Sequence, residues 1–230
     1  MSIWDPKLGV PLPERSYAVD CALYTPNNPH SSFYNLRATV MDEFMIAHLL
    51  GWYCKYLMIR DARMCIICSI LFELYELSFE HMLPNFAECW WDHIILDGLV
   101  CNGLGIYFGW LTLKWLRIEE MNWMGWSLEE EENEKGEKVK KWKCKFLSSF
   151  RHYLATCFVI FDLGIIELNA FFLKYILWTP PPHPLNIFRV FFWWISGIPG
   201  TKEFFFWTCS PFEKIPFKKS FGFSFNSFNI

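Results

Sequence analysis

Between positions 73 and 97 the chain carries Glu73, Glu76, Glu80, Glu88, Asp92 and Asp97, six carboxylates in 25 residues with no lysine or arginine among them. Glu73, Glu76 and Glu80 are spaced i, i+3 and i+7, which a helix of 3.6 residues per turn puts on one face. Glu88 and Asp92 stand four apart and would share a face if that stretch is helical. Anions this close in apolar surroundings repel one another, so either several are protonated or a cation neutralises them. Oxygen-only ligands suit a hard divalent ion, Ca²⁺ or Mg²⁺, and Asn85 and Asn102 could add neutral carbonyl oxygens. The plainer alternative has some glutamates reaching the membrane interface and others bonding helix neighbours, with no ion. His48 lies in the apolar run Phe44-Met45-Ile46-Ala47-His48-Leu49-Leu50-Gly51-Trp52. Alone it would be a packing residue; beside a carboxylate cluster it is a candidate base, because imidazole titrates near neutral pH.

The elements that must position these groups follow from composition. Apolar residues make up 53% of the 230 residues and aromatics 20%, with 24 Phe and 13 Trp, more greasy surface than a water-soluble core of this size can hide. They gather in five blocks, 44–59, 62–79, 93–116, 153–178 and 185–199. A helix needs about 20 residues to cross a bilayer core, so the second, third and fourth blocks qualify by length while the first and fifth are short. Backbone in lipid is satisfied as helix or closed barrel, and the blocks lack the alternating polarity of barrel strands. The expected fold is all-α, a polytopic integral membrane helix bundle of about five membrane segments.

Five regions are expected: a polar, Pro-punctuated arm over 1–40, membrane helices with the acidic cluster over 41–126, a charged loop over 127–152, further membrane helices over 153–203, and a Phe-rich tail over 204–230. The loop, acidic and then lysine-rich, reads as a solvated, mobile segment. Basic residues gather at 55–63, at 114–151 and beyond 202, whereas the joins at 80–92 and 179–184 hold none. That alternation makes the basic loops cytosolic and puts the 80–92 join on the far side. A formal net charge of −3 points to no nucleic acid partner. Nine cysteines, most in or beside apolar blocks, suit buried thiols rather than a disulfide framework, and Cys65-Ile-Ile-Cys68 has no second pair to complete a zinc site. The glycines of Gly103-Leu-Gly105-Ile-Tyr-Phe-Gly109 follow no strand, and are expected to let helices approach closely. Asp162, Glu167 and Asn169 could line the same cavity as the acidic cluster or merely bond between helices.

Several strings together resemble the eukaryotic base-exchange phosphatidylserine synthases, closest to plant-like members. They are Leu12-Pro-Glu-Arg-Ser-Tyr-Ala-Val-Asp-Cys21, Ala47-His48-Leu-Leu-Gly-Trp52, Phe72-Glu-Leu-Tyr-Glu-Leu77 and His81-Met-Leu-Pro-Asn-Phe-Ala-Glu-Cys-Trp-Trp-Asp92, then Ile95-Leu-Asp97, Cys101-Asn-Gly103 and Glu167-Leu-Asn-Ala-Phe-Phe-Leu-Lys174. The resemblance covers about residues 8–126 and 158–203. It implies a multi-pass enzyme of the endoplasmic reticulum membrane that replaces the choline or ethanolamine of a phospholipid with L-serine, using Ca²⁺. It further implies His48 as general base on the serine hydroxyl, Glu73, Glu76, Glu88 and Asp92 as calcium ligands, and Asn85, Asp97 and Asn102 as supports of the substrate pocket. A homodimer is compatible with it. The family is usually about twice this length with around ten spans, so a truncated, inactive membrane protein or an assembly partner of a full-length synthase is the alternative reading. A nucleotide-lipid alcohol phosphotransferase would need a DGxxAR motif, and Asp97-Gly98 is not followed by Ala-Arg.

Overall fold

The computed structural model describes residues 6, 18–83, 86–132, 138–144, 149–177, 179 and 183–209. Beyond one two-stranded antiparallel ribbon, their regular structure is helical. In chain order come α1 (Tyr34–Val40), α2 (Glu43–Ile59), α3 (Ala62–Phe79), a π-wound segment (Asp92–Cys101) running straight into α4 (Asn102–Trp115), β1 (Trp126–Glu132), β2 (Lys138–Cys144), α5 (Phe150–Leu177) and α6 (Pro184–Cys209). The blocks read from hydropathy reappear as α2, α3, the π-segment with α4, α5 and α6, because continuous apolar runs of this length satisfy their backbone only as helix.

Local chemistry sets the α2–α3 hairpin. Arg60 takes a left-handed conformation (φ 54°), which turns the chain at the end of α2. Asp61 then caps α3: its Oδ1 accepts from the backbone N–H groups of Arg63 (2.9 Å) and Met64 (3.3 Å), while Oδ2 accepts from that of Trp123 (3.0 Å). The buried Trp123 indole donates in turn to the Ile59 carbonyl (2.8 Å), and Trp52, Tyr56, Met64, Cys65 and Leu113 complete the core beneath it.

α4 crosses α2 closely because two of its glycines have no side chain there. A Cβ on Gly105 would stand 2.7 Å from the Leu49 carbonyl oxygen and from Trp52 Cβ, and one on Gly109 would stand 2.8 Å from Tyr56 Cβ. This is the close approach expected of small residues four apart. Gly103, the third glycine of the string, faces open space. Gly105→Ala therefore meets backbone on a packed crossing, and overpacking of this kind destabilises by about 1–3 kcal/mol. A clear fall in the thermal unfolding midpoint of the detergent-solubilised chain is expected, with Gly103→Ala as the near-neutral control.

Among the described residues two helices are long and apolar enough to cross a membrane, Asp92–Trp115 and Phe150–Asn169, and only 28% of each apolar window is buried within the chain. Large apolar side chains point outward along these helices and along α6, among them Leu99 (69% exposed), Phe161 (62%) and Phe192 (72%). An outward apolar surface on that scale calls for lipid or a partner rather than water.

Three expectations need correction. Cys21 and Cys89 form a disulfide, so the cysteines are not all thiols; both lie outside the apolar blocks, in the arm and the 80–92 join, and the fold brings them together across a sequence separation of 68. Cys65 and Cys68 are free and buried. The stretch expected as a mobile charged loop holds the ribbon, whose antiparallel backbone register runs from Trp126 opposite Cys144 to Glu132 opposite Lys138. Finally, α6 runs to Cys209, six residues beyond the boundary expected at 203, because Phe204, Phe205 and Thr208 continue to pack against the bundle.

Candidate active site

Three elements converge on His48, in the second turn of α2. Its Nε2 lies 2.6 Å from the Oδ1 of Asn102, the first residue of α4. Asn102 is buried, and its Nδ2 donates to Ser69 Oγ (2.6 Å) and Glu73 Oε1 (3.1 Å), both on α3. With its nitrogen committed to those two oxygens, the amide presents its oxygen to His48, and Nε2 must carry the ring proton. The Trp52 indole, 3.2 Å from the same Nε2, would be satisfied only in the opposite tautomer. Nδ1 is left as the basic nitrogen. A chain from Glu73 through Asn102 to His48 thus orients a base, as second-shell groups do for histidines that must present one nitrogen.

The carboxylates gather beside this chain. Glu73 and Glu76 share the inner face of α3, and His93 Nδ1 stands 3.1 Å from Glu73 Oε2 and 3.4 Å from Glu76 Oε2. One ligand atom from each of the three lies within 4.8 Å of the others. Asp92 (6% exposed) and Asp97 (9%) are buried on the π-wound segment. On an α-helix five residues turn the chain through about 500°, leaving side chains five apart about 140° from each other. The π winding closes i to i+5, as the bond from the Asn102 N–H to the Asp97 carbonyl shows, and stacks those two aspartates toward one face. Glu88 enters from the join before the segment. Burial, with Glu76, Asp97 and Asp92 adding to it, pushes the Glu88 carboxyl up to about 10, and it hydrogen-bonds Asp97.

Of the residues singled out in the sequence, His48, Glu73, Glu76, Glu88, Asp92, Asp97 and Asn102 all belong to this region. Asn85 lies outside the described residues. Glu80, expected on the same face as Glu73 and Glu76, is exposed just past the end of α3. The expectation that Glu88 and Asp92 share a helical face also needs correction: helix begins only at Trp90, and an irregular join delivers Glu88. His93 was not singled out. The available signal was its place directly after Asp92, a group able to carry positive charge within an acidic run that holds no lysine or arginine.

Among the described residues Glu88 Oε2 is buried with no hydrogen-bond partner, and Glu73 Oε2 and Glu76 Oε2 are buried with the His93 imidazole beside them. Carboxylates crowded in an apolar interior are expensive as anions, and a shared proton or a hard cation relieves them. Among the described residues Glu73, Glu76 and His93 are the group close enough to share a divalent ion, while Glu88 and Asp92 lie near it but outside that group. Beside the cluster, between α2, α5 and α6, runs a cleft of about 580 Å³ bordered by Lys55, Glu167, Arg189, Trp193 and Trp194. Lys55 pairs with Glu167 and lies 3.7 Å over the Trp52 ring, and both partners are within electrostatic reach of Glu76. Glu167 and Asn169 line this cleft, whereas Asp162 faces a smaller one bounded by Met58, Phe158 and Phe204.

Comparison with known proteins supplies the family. A profile of the family described as "Phosphatidyl serine synthase" matches residues 1–219. The chain belongs to the phosphatidylserine synthase family. Within it, the chain is 48% identical over 212 residues to "Phosphatidylserine synthase 2" of Danio rerio, covering 86% of this chain and 46% of the relative. It is 47% identical over 207 residues to the human protein of the same name, covering 84% and 42%. Against "CDP-diacylglycerol--serine O-phosphatidyltransferase 1" of Arabidopsis thaliana it is 40% identical over 219 residues, covering 89% and 50%. The chain thus spans about half the length of these synthase-family relatives, from animals and plants alike.

Proposed function

We propose that this chain forms the catalytic part of a headgroup-exchange phosphatidylserine synthase, a multi-pass protein of the endoplasmic reticulum membrane with about five spans in this stretch. The observation that carries the reading is the oriented base next to the buried carboxylates. His48 Nδ1 takes the proton of the serine hydroxyl as its oxygen attacks the phospholipid phosphorus. The bond from phosphorus to the choline or ethanolamine oxygen breaks, and the departing oxygen recovers the proton. Glu73, Glu76, Glu88 and Asp92 would hold Ca²⁺, and His93 stands ready as a further ligand or as the counter-charge of Glu73 and Glu76. When bound, the cation supplies charge stabilisation at the phosphoryl oxygens. Asn102 orients the base, Asp97 and Asn85 support the pocket, and the apolar walls exclude the water that would otherwise hydrolyse the lipid. The cleft beside Lys55 and Arg189, apolar with a few cations at its rim, suits a phospholipid.

The names of the plant relatives introduce a second reading, in which CDP-diacylglycerol is the donor. The residues after Asp97 weigh against it, since Gly98 is followed by Leu99 and Val100 rather than by the Ala-Arg of nucleotide-lipid phosphotransferases. Labelled L-serine incorporation into membranes containing the full chain separates the two. Exchange predicts incorporation with phosphatidylcholine or phosphatidylethanolamine alone, release of the free base, no stimulation by CDP-diacylglycerol, and loss of activity in EGTA restored by Ca²⁺. Incorporation that requires the nucleotide lipid rejects exchange.

A further inference from the structure

The site groups cluster at one end of the helices. Glu73 and Glu76 lie in the last turns of α3, His48 is near the start of α2, Asp92, His93 and Asp97 open the π-wound segment, and Glu88 sits in the join before it. The same end carries the Cys21–Cys89 disulfide. Two further bonds hold the arm there, Ala18 N–H to the Ala87 carbonyl (2.8 Å) and the Trp91 indole N–H to the Cys21 carbonyl (3.1 Å). Disulfides persist in oxidising compartments, whereas cytosolic thiols are kept reduced.

Charge marks the opposite end. Arg60 and Arg63 flank the α2–α3 turn, and Lys114 and Arg117 close α4. At the disulfide end the only lysine or arginine between residues 18 and 42 is Arg37, and there is none between 80 and 92. Basic residues near helix ends favour the cytosolic side. Thiol chemistry and charge distribution are independent of each other, and they give one orientation.

We infer that the site opens on the oxidising, non-cytosolic side of the membrane. It therefore acts on phospholipid of that leaflet and takes L-serine from that compartment, with the arm strapped by Cys21–Cys89 against the join that delivers Glu88. The choice of substrates rests on the exchange reading above; the orientation does not, and it is tested without activity.

Two single substitutions in the full chain, made in a eukaryotic cell, create glycosylation acceptors. Pro29→Thr completes an Asn-x-Thr acceptor at Asn27 in the arm, and Lys135→Thr completes one at Asn133 in the charged stretch. The expected result is an endoglycosidase-sensitive mobility shift for the first and none for the second; any other pattern overturns the orientation. The unsubstituted chain provides a second measurement. In denaturant, dithiothreitol should expose two further thiols to PEG-maleimide, and none in the Cys21→Ser/Cys89→Ser double variant. No increase in the unsubstituted chain removes the disulfide and with it the inference. In sealed vesicles with the cytosolic face outward, serine incorporation should persist with EGTA outside and stop on permeabilisation. Loss before permeabilisation overturns the placement of the site. Activity indifferent to EGTA in both states rejects the calcium reading instead, and the glycan pattern still decides the orientation.

Discussion

His48→Gln lowers the turnover number for serine incorporation by about 10²–10⁴-fold, the contribution of a positioned general base, while the KM for serine changes little. Glutamine is the informative replacement because its amide can still donate to Asn102 Oδ1, the acceptor that His48 Nε2 reaches at 2.6 Å. The chain from Glu73 through Asn102 thus keeps its partners, and no buried acceptor is left orphaned. What disappears is the basic nitrogen on the far side of the ring. His48→Ala should lose as much activity and also unfold at lower temperature, since it leaves a space beside Phe72 and an unsatisfied Asn102. The pair separates catalysis from packing: a glutamine variant with the original turnover would show that His48 holds helices together and does no chemistry.

Glu76→Gln reduces Ca²⁺ affinity by at least about 100-fold, more than the 10–100-fold typical of losing an outer-shell partner of a metal ligand. Glu76 is 5% exposed, and His93 Nδ1 stands 3.4 Å from its Oε2. In the metal-free chain it adds to the mutual repulsion of Glu73, Glu88 and Asp97, as their electrostatic contacts with it require. The substitution therefore has two effects of opposite sign. Without metal it removes a buried like charge and raises the thermal midpoint; with metal it removes a ligand and shrinks the stabilisation that Ca²⁺ brings, which for an intact site is about 2.7 kcal/mol at a hundred times the dissociation constant. Thermal unfolding of the detergent-solubilised chain, in EGTA and over a Ca²⁺ titration, measures both. If the original chain shows no Ca²⁺-dependent shift, the carboxylates hold no calcium and share protons instead.

His93→Gln makes a gentler companion to these two. It keeps the size of the side chain beside Glu73 and Glu76 while removing the charge it could carry, so it tests whether the acidic pair relies on imidazole when the cation is away.

The second apolar block matched its helix, 62–79, while the fifth, ending at 199, stopped ten residues short of the end of α6 at Cys209, because hydropathy and the demand for backbone satisfaction act locally and need no knowledge of neighbours. The chemistry of the site was legible for the same reason: carboxylates crowded into apolar sequence imply a cation or a proton whatever the fold, and Glu73 and Glu76 share a face by helical periodicity alone. Other features depended on how the elements meet. No spacing rule foretells the π winding that turns Asp92 and Asp97 toward one face, the irregular join that brings in Glu88, or the exposure of Glu80 one residue past a helix end. His93 gained its role only when that winding set it beside Glu73 and Glu76. Cys21 and Cys89 are 68 residues apart, and pairing at that separation is a property of the packed chain. Residue types and periodicity thus determined which groups could react and which segments would be helical; tertiary packing decided which side chains stand within bonding distance, since those distances depend on helix winding and crossing, which short-range sequence does not encode.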